Sequence, residues 1–155
     1  MNRIKFNSIL SPKEKIIINT SIKSSEFCLS SFLNNQFSID TTSDKDIISG
    51  FERDWSNIPG NAEFLSRPIN KKQCAIILYI CNELKILVTI SAGKTNLTGS
   101  ATPKGGLILS IINMTEPVTS IDQKNKLVKT TVGTVLENMR NDVINLTNNK
   151  FYYPV

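Results

Sequence analysis

The chain contains no histidine. This absence excludes Ser-His-Asp and Cys-His catalysis, as well as zinc sites that use histidine as a ligand. An enzyme with this sequence would have to use carboxylates, a lysine or a single cysteine instead. The carboxylates do not group along the chain as an acid–base pair. We therefore predict a protein that is not an enzyme and that has no catalytic residue, metal or cofactor.

Long apolar runs and paired cysteines are also missing. The longest apolar run, Ala75–Ile80, has the length of a strand and is far shorter than the ~20 residues of a membrane span. No apolar segment of a signal peptide precedes Pro12. The 3 cysteines, Cys28, Cys74 and Cys81, show no C-x-x-C spacing. We interpret them as free, mostly buried thiols in a reducing compartment, and we predict a cytoplasmic location.

The length and charge of the chain leave several functions open. A chain of 155 residues fits one domain, residues 1–155, that can bury a core. The net charge of +5 fits a soluble basic domain. It also fits a partner with negative charge, such as an acidic protein face, an anionic lipid or a nucleic acid. The basic residues are dispersed, and the densest group is Lys124, Lys126 and Lys129, so we expect no nucleic-acid binding.

Two stretches are similar to ligand-binding loops without meeting their rules. Ser91–Thr95 suggests a phosphate loop, but a Walker A motif needs a glycine where Val88 stands and a helix directly afterwards. We predict a hairpin turn there with a solvated Lys94. The aspartates of Thr41–Asp46 lack the spacing of a calcium-binding EF-hand loop. We predict a capped helix start at that point instead.

The first half of the chain predicts two strands and a helix. Ile16–Ile22 is rich in β-branched residues and has the composition of a strand, and Phe27–Phe32 predicts a second one. Ser11-Pro12-Lys13-Glu14 has the pattern of a capping box that opens a helix with Pro at its first position. We favour instead a short helix that ends before Pro12. The helix after Thr41–Asp46 has an apolar stripe: Ile47, Ile48, Phe51 and Trp55.

The second half predicts a short strand, three longer strands and a long helix. The short strand, Phe64–Ile69, contains a proline and is therefore expected at the edge of a sheet. Continuous apolar runs in the longer strands indicate that helices cover both faces of the sheet. Short turns should join these strands as antiparallel neighbours: Gln73–Cys81, Lys85–Ala92 and Leu107–Ile112. Apolar spacing from Ile121 to Val143 predicts an amphipathic helix of roughly five to seven turns.

This order of elements, with three local segments, resembles the profilin family. Leu29–Ile39 with Thr41–Asp44 is similar to the profilin segment in which a strand leads through a turn and a buried Phe into a capped helix. Residues 64–77 are similar to the "GLxLGGQKCxVI" stretch, and residues 105–117 with the helix beyond resemble the profilin ending. The resemblance is to a divergent archaeal (Asgard-type) or protist profilin. It implies an α+β fold: a central antiparallel β-sheet with terminal helices packed on one face and a shorter helix on the other.

The resemblance implies an actin-monomer-binding protein that regulates actin filament assembly. Profilins grip actin with the start of the C-terminal helix and with the long strands that face it. Basic residues there suit an acidic patch on actin, although lysines also serve simply to solvate a domain. The matching positions in this chain are Lys72, Gln73, Ala75, Ile76 and Leu78 on one strand, Lys85, Thr89 and Lys94 on the next strand and its turn, and Thr119, Gln123, Lys124, Val128 and Lys129 on the last loop and helix start.

Aromatic residues for a second profilin ligand are largely missing. Profilins that bind polyproline stack it on aromatics of the two terminal helices, with one tryptophan near the chain start, here near Arg3 or Ile4, and another on the second strand, here at Leu29. The resemblance therefore implies weak or absent polyproline binding. Anionic-lipid (phosphoinositide) binding, another family trait, is compatible with the charge but has no location. The aromatics that remain for polyproline are Phe6, Phe151, Tyr152 and Tyr153.

A different class of protein also fits the predicted elements. Roadblock- and longin-like domains are protein-interaction scaffolds that share a sheet covered by helices. Such domains commonly dimerise, whereas the profilin interpretation predicts a monomer. The profilin interpretation also predicts association with the cytoskeleton.

Overall fold

The computed structural model describes residues 9–115 and 119–154, in which helices and strands are mixed along the chain. No helix among these residues is both long and apolar enough to cross a membrane. The elements in chain order are α1 (Pro12–Ser21), α2 (Leu29–Phe37), β1 (Thr41–Thr42), α3 (Lys45–Ser49), β2 (Phe64–Ser66), α4 (Lys71–Leu84), β3 (Val88–Ser91), β4 (Leu107–Ser110), β5 (Ser120–Asp122), β6 (Leu127–Lys129) and α5 (Leu136–Leu146).

Strands β1 to β4 form one sheet in the order β1-β2-β4-β3. β1 runs antiparallel to β2, whereas β4 is parallel to both β2 and β3, with Leu107 opposite Phe64 and Val88. β4 is buried along its whole length because it lies between two strands and is covered on both faces. α4 connects β2 to β3 as the crossover that parallel strands require. β5 and β6 form a separate antiparallel hairpin.

The two faces of the sheet are covered unequally. Side chains from α1, α2 and α4 pack on one face, against Leu107 and Leu109 of β4. On the other face Ile48 of α3 packs with Leu65 and Ile108, which point away from the first core because side chains alternate along a strand. The second face therefore has the smaller core, and the segment that follows α3 lies beside it.

The predicted strand Ile16–Ile22 is wrong, because this stretch lies mostly in α1. Ser11 Oγ accepts a hydrogen bond from Glu14 N at 3.3 Å, and Glu14 Oε2 accepts one from Ser11 N at 2.8 Å. This capping box, with Pro12 at the first helical position, outweighs the β-branched composition of the stretch. The short helix that we favoured before Pro12 falls mainly on residues 1–8, outside the described residues.

Two further predicted strands are also helical. Phe27–Phe32 runs into α2, and Gln73–Cys81 lies within α4. At the start of α4, Asn70 Oδ1 accepts hydrogen bonds from Lys72 N and Gln73 N, both at 3.0 Å, and so caps the helix. The continuous apolar run that suggested a buried strand is instead the core-facing side of α4, since a short apolar run fits either element.

The antiparallel sheet of the profilin interpretation is wrong. β3 and β4 lie within the predicted strands Lys85–Ala92 and Leu107–Ile112, but they are parallel. Residues 92–106 connect the carboxyl end of β3 to the amino end of β4, so that both strands run in the same direction. A short turn would instead produce an antiparallel pair. β2 does lie within the predicted strand Phe64–Ile69, but it sits between β1 and β4 rather than at the edge.

The prediction of one long final helix is wrong over the first half of that stretch. Residues 120–129 form the β5–β6 hairpin, and α5 starts only at Leu136. Ile121 and Val128 pair across the hairpin. Their spacing, which matches two helical turns, therefore also fits a cross-strand pair. Asp122 closes the hairpin turn by accepting hydrogen bonds from Asn125 N at 3.0 Å and Asn125 Nδ2 at 2.7 Å.

Candidate functional site

The connecting loop, residues 92–106, leaves the sheet at the carboxyl end of β3. Four of its residues have a positive φ: Lys94 (57°), Gly99 (73°), Gly105 (91°) and Gly106 (74°). The left-handed conformation of Gly99 favours glycine, whereas a Cβ atom there would lie 2.8 Å from the movable end of the Ile58 side chain. The carboxyl edge of parallel strands is where α/β sheets generally bind ligands.

The middle of the connecting loop presents unpaired backbone amides. Within the described residues, the N–H groups of Gly93 through Ser100 donate to no acceptor. The next two amides are paired: Ala101 N donates to Asp54 Oδ2 at 3.2 Å, and Thr102 N donates to Gly99 O at 3.1 Å. Successive unpaired amides in turn conformations form a partly positive surface that suits an anionic group such as a phosphate.

The segment after α3 holds the connecting loop in place. Lys94 Nζ donates to Gly50 O at 2.5 Å and lies 4.8 Å from the centre of the Phe51 ring. Lys94 O accepts a hydrogen bond from Trp55 N at 3.2 Å. Lys94 is therefore half-buried and fixed, not solvated in a hairpin turn as predicted.

Buried hydroxyl groups without partners lie close to this edge. Ser91 ends β3 and Ser110 ends β4, and the two residues are opposite each other in the sheet. They are 1% and 0% exposed, and neither Oγ has a hydrogen-bond partner among the described residues. Thr102 Oγ1 also has no partner among the described residues, but Thr102 lies farther along the connecting loop, near the amino end of β4. A buried polar group without a partner costs about 1–3 kcal/mol. A hydrogen bond from one of these hydroxyls to a polar ligand atom would remove that cost.

The residues expected to contact actin lie on several different elements. Five of them belong to α4, where Ala75 and Ile76 are buried in the core at 5% and 3% exposure, and where Lys72 pairs with Glu14 at 2.7 Å. Thr119 is buried as well. The remaining predicted residues are placed as follows: Gln73 and Leu78 on α4, Lys85 at its C-cap, Thr89 in β3, Lys94 in the connecting loop, and Gln123, Lys124, Val128 and Lys129 in the β5–β6 hairpin.

The aromatic tail meets the hairpin rather than a terminal helix pair. A cavity of about 200 Å³ between them is lined by Phe151, Tyr152, Tyr153, Gln123 and Val128, among others. Phe6, the other aromatic expected to bind polyproline, lies outside the described residues. In the part of the chain that the structure describes, no three cysteine or carboxylate side chains are grouped so that they could hold a metal ion.

Sequence reasoning missed the amide row of the connecting loop and the residues around it, Asp54, Asn96, Ser91 and Ser110. The glycines and small polar residues directly after a strand were the available signal. We rejected that signal because Walker A loops lead into a helix. An anion can also be bound by loop amides alone, so the rejection excluded only one type of phosphate site.

A mostly parallel sheet with a crossover helix, and with a loop suited to an anion after β3, is an arrangement found in α/β domains that bind nucleotide cofactors. Residues 62–146, more than half of the chain, match the family model described as an FAD binding domain. The chain belongs to this FAD-binding domain family.

Curated relatives carry the names of dehydrogenases. The chain is 30% identical over 99 residues to a D-lactate dehydrogenase of Anaerostipes hadrus, an alignment that covers 63% of this chain and 21% of that protein. It is 26% identical over 103 residues to a probable mitochondrial D-2-hydroxyglutarate dehydrogenase of Oryza sativa subsp. indica, covering 66% of this chain and 18% of that protein. The chain thus spans about a fifth of the length of these relatives.

Solved structures share the fold at low sequence identity. p-Cresol methylhydroxylase with bound substrate aligns with a TM-score of 0.62 at 18% identity, covering 90% of this chain and 26% of that chain. A chitooligosaccharide oxidase aligns with a TM-score of 0.61 at 14% identity, covering 75% of this chain and 25% of that chain.

These findings overturn the profilin interpretation. The expectations of a profilin, an actin-monomer partner, a cytoskeletal role and a protein that is not an enzyme are wrong, because the family model is that of an FAD binding domain and the relatives are named as dehydrogenases. The actin and polyproline roles assigned to individual residues lose their basis with the family. The missing histidine misled us because in a flavoprotein the cofactor carries the redox chemistry.

Proposed function

We propose that this chain contributes the FAD-binding part of a flavin-dependent dehydrogenase that oxidises a D-2-hydroxy acid. The observation that carries the proposal is the row of unpaired backbone amides from Gly93 to Ser100, in the connecting loop that leaves the carboxyl end of β3. Membership of the FAD-binding domain family supports the cofactor. The names of the relatives, D-lactate and D-2-hydroxyglutarate dehydrogenase, support the substrate class.

The residues present fit a dinucleotide. The amides of Gly93 to Ser100 would hold the negatively charged pyrophosphate, which needs donors and no side-chain charge. The buried hydroxyls of Ser91 and Ser110 would donate to or accept from polar atoms of the cofactor at the strand ends. When bound, FAD supplies the two-electron acceptor for oxidising a hydroxyl-bearing carbon.

Titration with FAD and with riboflavin tests the cofactor assignment. FAD fluorescence is followed as the chain is added, and riboflavin, which lacks the pyrophosphate, serves as the matched control. We expect saturable binding of FAD and at least about tenfold weaker binding of riboflavin, because the amide row recognises the pyrophosphate. Equal binding of both flavins, or no binding of FAD, would contradict the assignment.

The substrate class is tested once the flavin is bound. D-lactate or D-2-hydroxyglutarate is added without oxygen, and the visible absorbance of FAD is recorded, with the L-enantiomers as controls. Bleaching by a D-acid alone supports the proposal, whereas bound FAD that no D-2-hydroxy acid bleaches speaks against the substrate class. The cytoplasmic location and the monomeric state stay predictions.

A further inference from the structure

Asp54 is a buried carboxylate that faces only hydrogen-bond donors. The residue is 7% exposed and has no cationic partner among the described residues. Its Oδ1 accepts from Ser56 N at 2.9 Å and from Ser56 Oγ at 2.5 Å. Its Oδ2 accepts from Asn96 Nδ2 at 2.6 Å and from Ala101 N at 3.2 Å. One oxygen therefore binds the residue's own turn, and the other binds the connecting loop.

The four donors require a group that only accepts. An ionised carboxylate meets this requirement, whereas an asparagine would place its NH₂ group against one pair of donors. The hydrogen bond from the Ser56 hydroxyl is the main cause that lowers the pKa of Asp54, against the opposing effect of burial, and the bonds from Asn96 and Ala101 act in the same lowering direction. The carboxylate is thus charged at neutral pH, and charge-assisted hydrogen bonds are the stronger kind.

The two loop donors lie at the ends of one stretch of unpaired amides. Asn96 and Ala101 bracket residues 97–100, whose N–H groups donate to no described acceptor. Asn96 Nδ2 also donates to Ser100 Oγ at 2.9 Å, and this hydrogen bond links the two ends of the stretch within the loop itself. Asp54 therefore fixes both ends of the stretch to the segment that follows α3.

We propose that Asp54 is a positioning residue, which holds Asn96 and Ala101 so that the amides between them converge on the pyrophosphate of FAD. Asp54 acts through these two residues and not by contact with the cofactor. This inference rests on the proposed function, because it names a residue that orders the same site. A loop whose amides are already in place binds with less loss of conformational freedom than a loop that must be ordered by the ligand.

Asp54→Asn is the direct test, with Asp122→Asn as its matched control. Asp122 also accepts two hydrogen bonds in a tight turn and also has a lowered pKa, caused first by the side chain of Asn125, but it lies in the β5–β6 hairpin. Hydrogen exchange at the Ala101 amide is measured without flavin, and the dissociation constant for FAD is measured well below the unfolding temperature of each variant.

We expect Asp54→Asn to speed exchange at Ala101 and to weaken FAD binding, each by about tenfold, because a hydrogen bond to a charged group is lost. Riboflavin binding should not change, which separates positioning of the pyrophosphate site from a general loss of structure. Asp122→Asn should leave all three readouts at their wild-type values. If Asp54→Asn does not fold, Asn96→Ala removes one of the two loop donors while keeping the carboxylate, and it should weaken FAD binding in the same selective way.

Two results would overturn the inference. The first is wild-type exchange at Ala101 in Asp54→Asn, and the second is faster exchange with unchanged FAD affinity. If the wild-type chain binds no FAD, the proposed function fails and the positioning role fails with it. In that case, faster exchange at the Ala101 amide in Asp54→Asn than in the wild type would show that Asp54 anchors the loop but does not position it for FAD.

Discussion

The three cysteines show how strongly local surroundings decide the chemistry of one residue type. Cys28 is exposed, and hydrogen bonds with the hydroxyls of Ser30 and Ser31 lower the pKa of its thiol to about 7. Burial raises the pKa of Cys74, and it raises that of Cys81 to about 12. The interpretation of these thiols as mostly buried therefore holds for Cys81 but not for Cys28.

We predict that Cys28 reacts with iodoacetamide far faster than the other two thiols, because the thiolate is the reactive form. The pH dependence of its alkylation, followed by mass spectrometry of peptides, should have its midpoint near 7. Cys28→Ser should abolish the fast phase, and Cys81→Ser should leave it unchanged. A fast phase that survives in Cys28→Ser would contradict the assignment.

Gly99 carries a second prediction at the residue scale. Gly99→Ala would place a Cβ atom in a left-handed conformation, which strains the backbone of the connecting loop, and 2.8 Å from the end of the flexible Ile58 side chain, which has to turn aside. The left-handed conformation costs a residue with a Cβ atom about 1–2 kcal/mol, so FAD affinity should fall about tenfold. Gly50→Ala is the control, since its Cβ would approach only Ile47 O at an ordinary 3.6 Å. Equal FAD affinity of the two variants would show that the loop conformation does not matter for binding.

At the scale of elements, the strands β3 and β4 could be predicted and the helices α1 and α4 could not. Both helices are rich in β-branched residues, yet their caps and the apolar face that they bury decide the conformation. The capping box at Ser11 was visible in the sequence, but the composition of Ile16–Ile22 carried more weight in our prediction. Asn70, which caps α4, was equally visible in front of Gln73–Cys81, the stretch that we predicted as a strand.

Glu14 supplies a prediction for α1 and its contact with α4. The hydrogen bond from the Lys72 side chain, and then those from Ser11, lower the pKa of Glu14 from 4.5 to about 2. A carboxyl group with a lowered pKa stabilises the fold fully above its unfolded value and loses that effect as the pH falls toward the folded value. Glu14 should therefore contribute stability above pH 4.5 that disappears as the pH approaches 2.

Glu14→Gln should lower the free energy of unfolding by about 0.5 kcal/mol at pH 7, because glutamine can still accept the hydrogen bond from Ser11 N and only the negative charge at the helix start, paired with Lys72 on the surface, is lost. Urea denaturation at pH 7 and near pH 2.5 checks this, and the difference from the wild type should shrink at the lower pH. Glu26→Gln is the control, since the Glu26 side chain has no hydrogen bond or ion pair among the described residues. A difference between Glu14→Gln and the wild type that persists unchanged at low pH would contradict the assignment.

At the scale of the whole molecule, the path of the chain decides the site, and that path was the least predictable feature. Composition does not distinguish a parallel sheet with α4 as its crossover from an antiparallel one once α4 is taken for a strand. The amides of Gly93 to Ser100 belong to the backbone, so no residue type announces them. Asp54 meets Asn96 and Ala101 only after folding, because the residues are far apart in sequence.

The central claim is that these backbone amides bind the pyrophosphate of FAD. The most direct test is to record ¹H–¹⁵N spectra of the chain as FAD is added. We predict that the amide signals of Gly93 to Ser100 shift most, that ADP shifts the same signals because it also carries a diphosphate, and that riboflavin does not. Shifts that leave residues 93–100 unchanged at saturating FAD would contradict the claim.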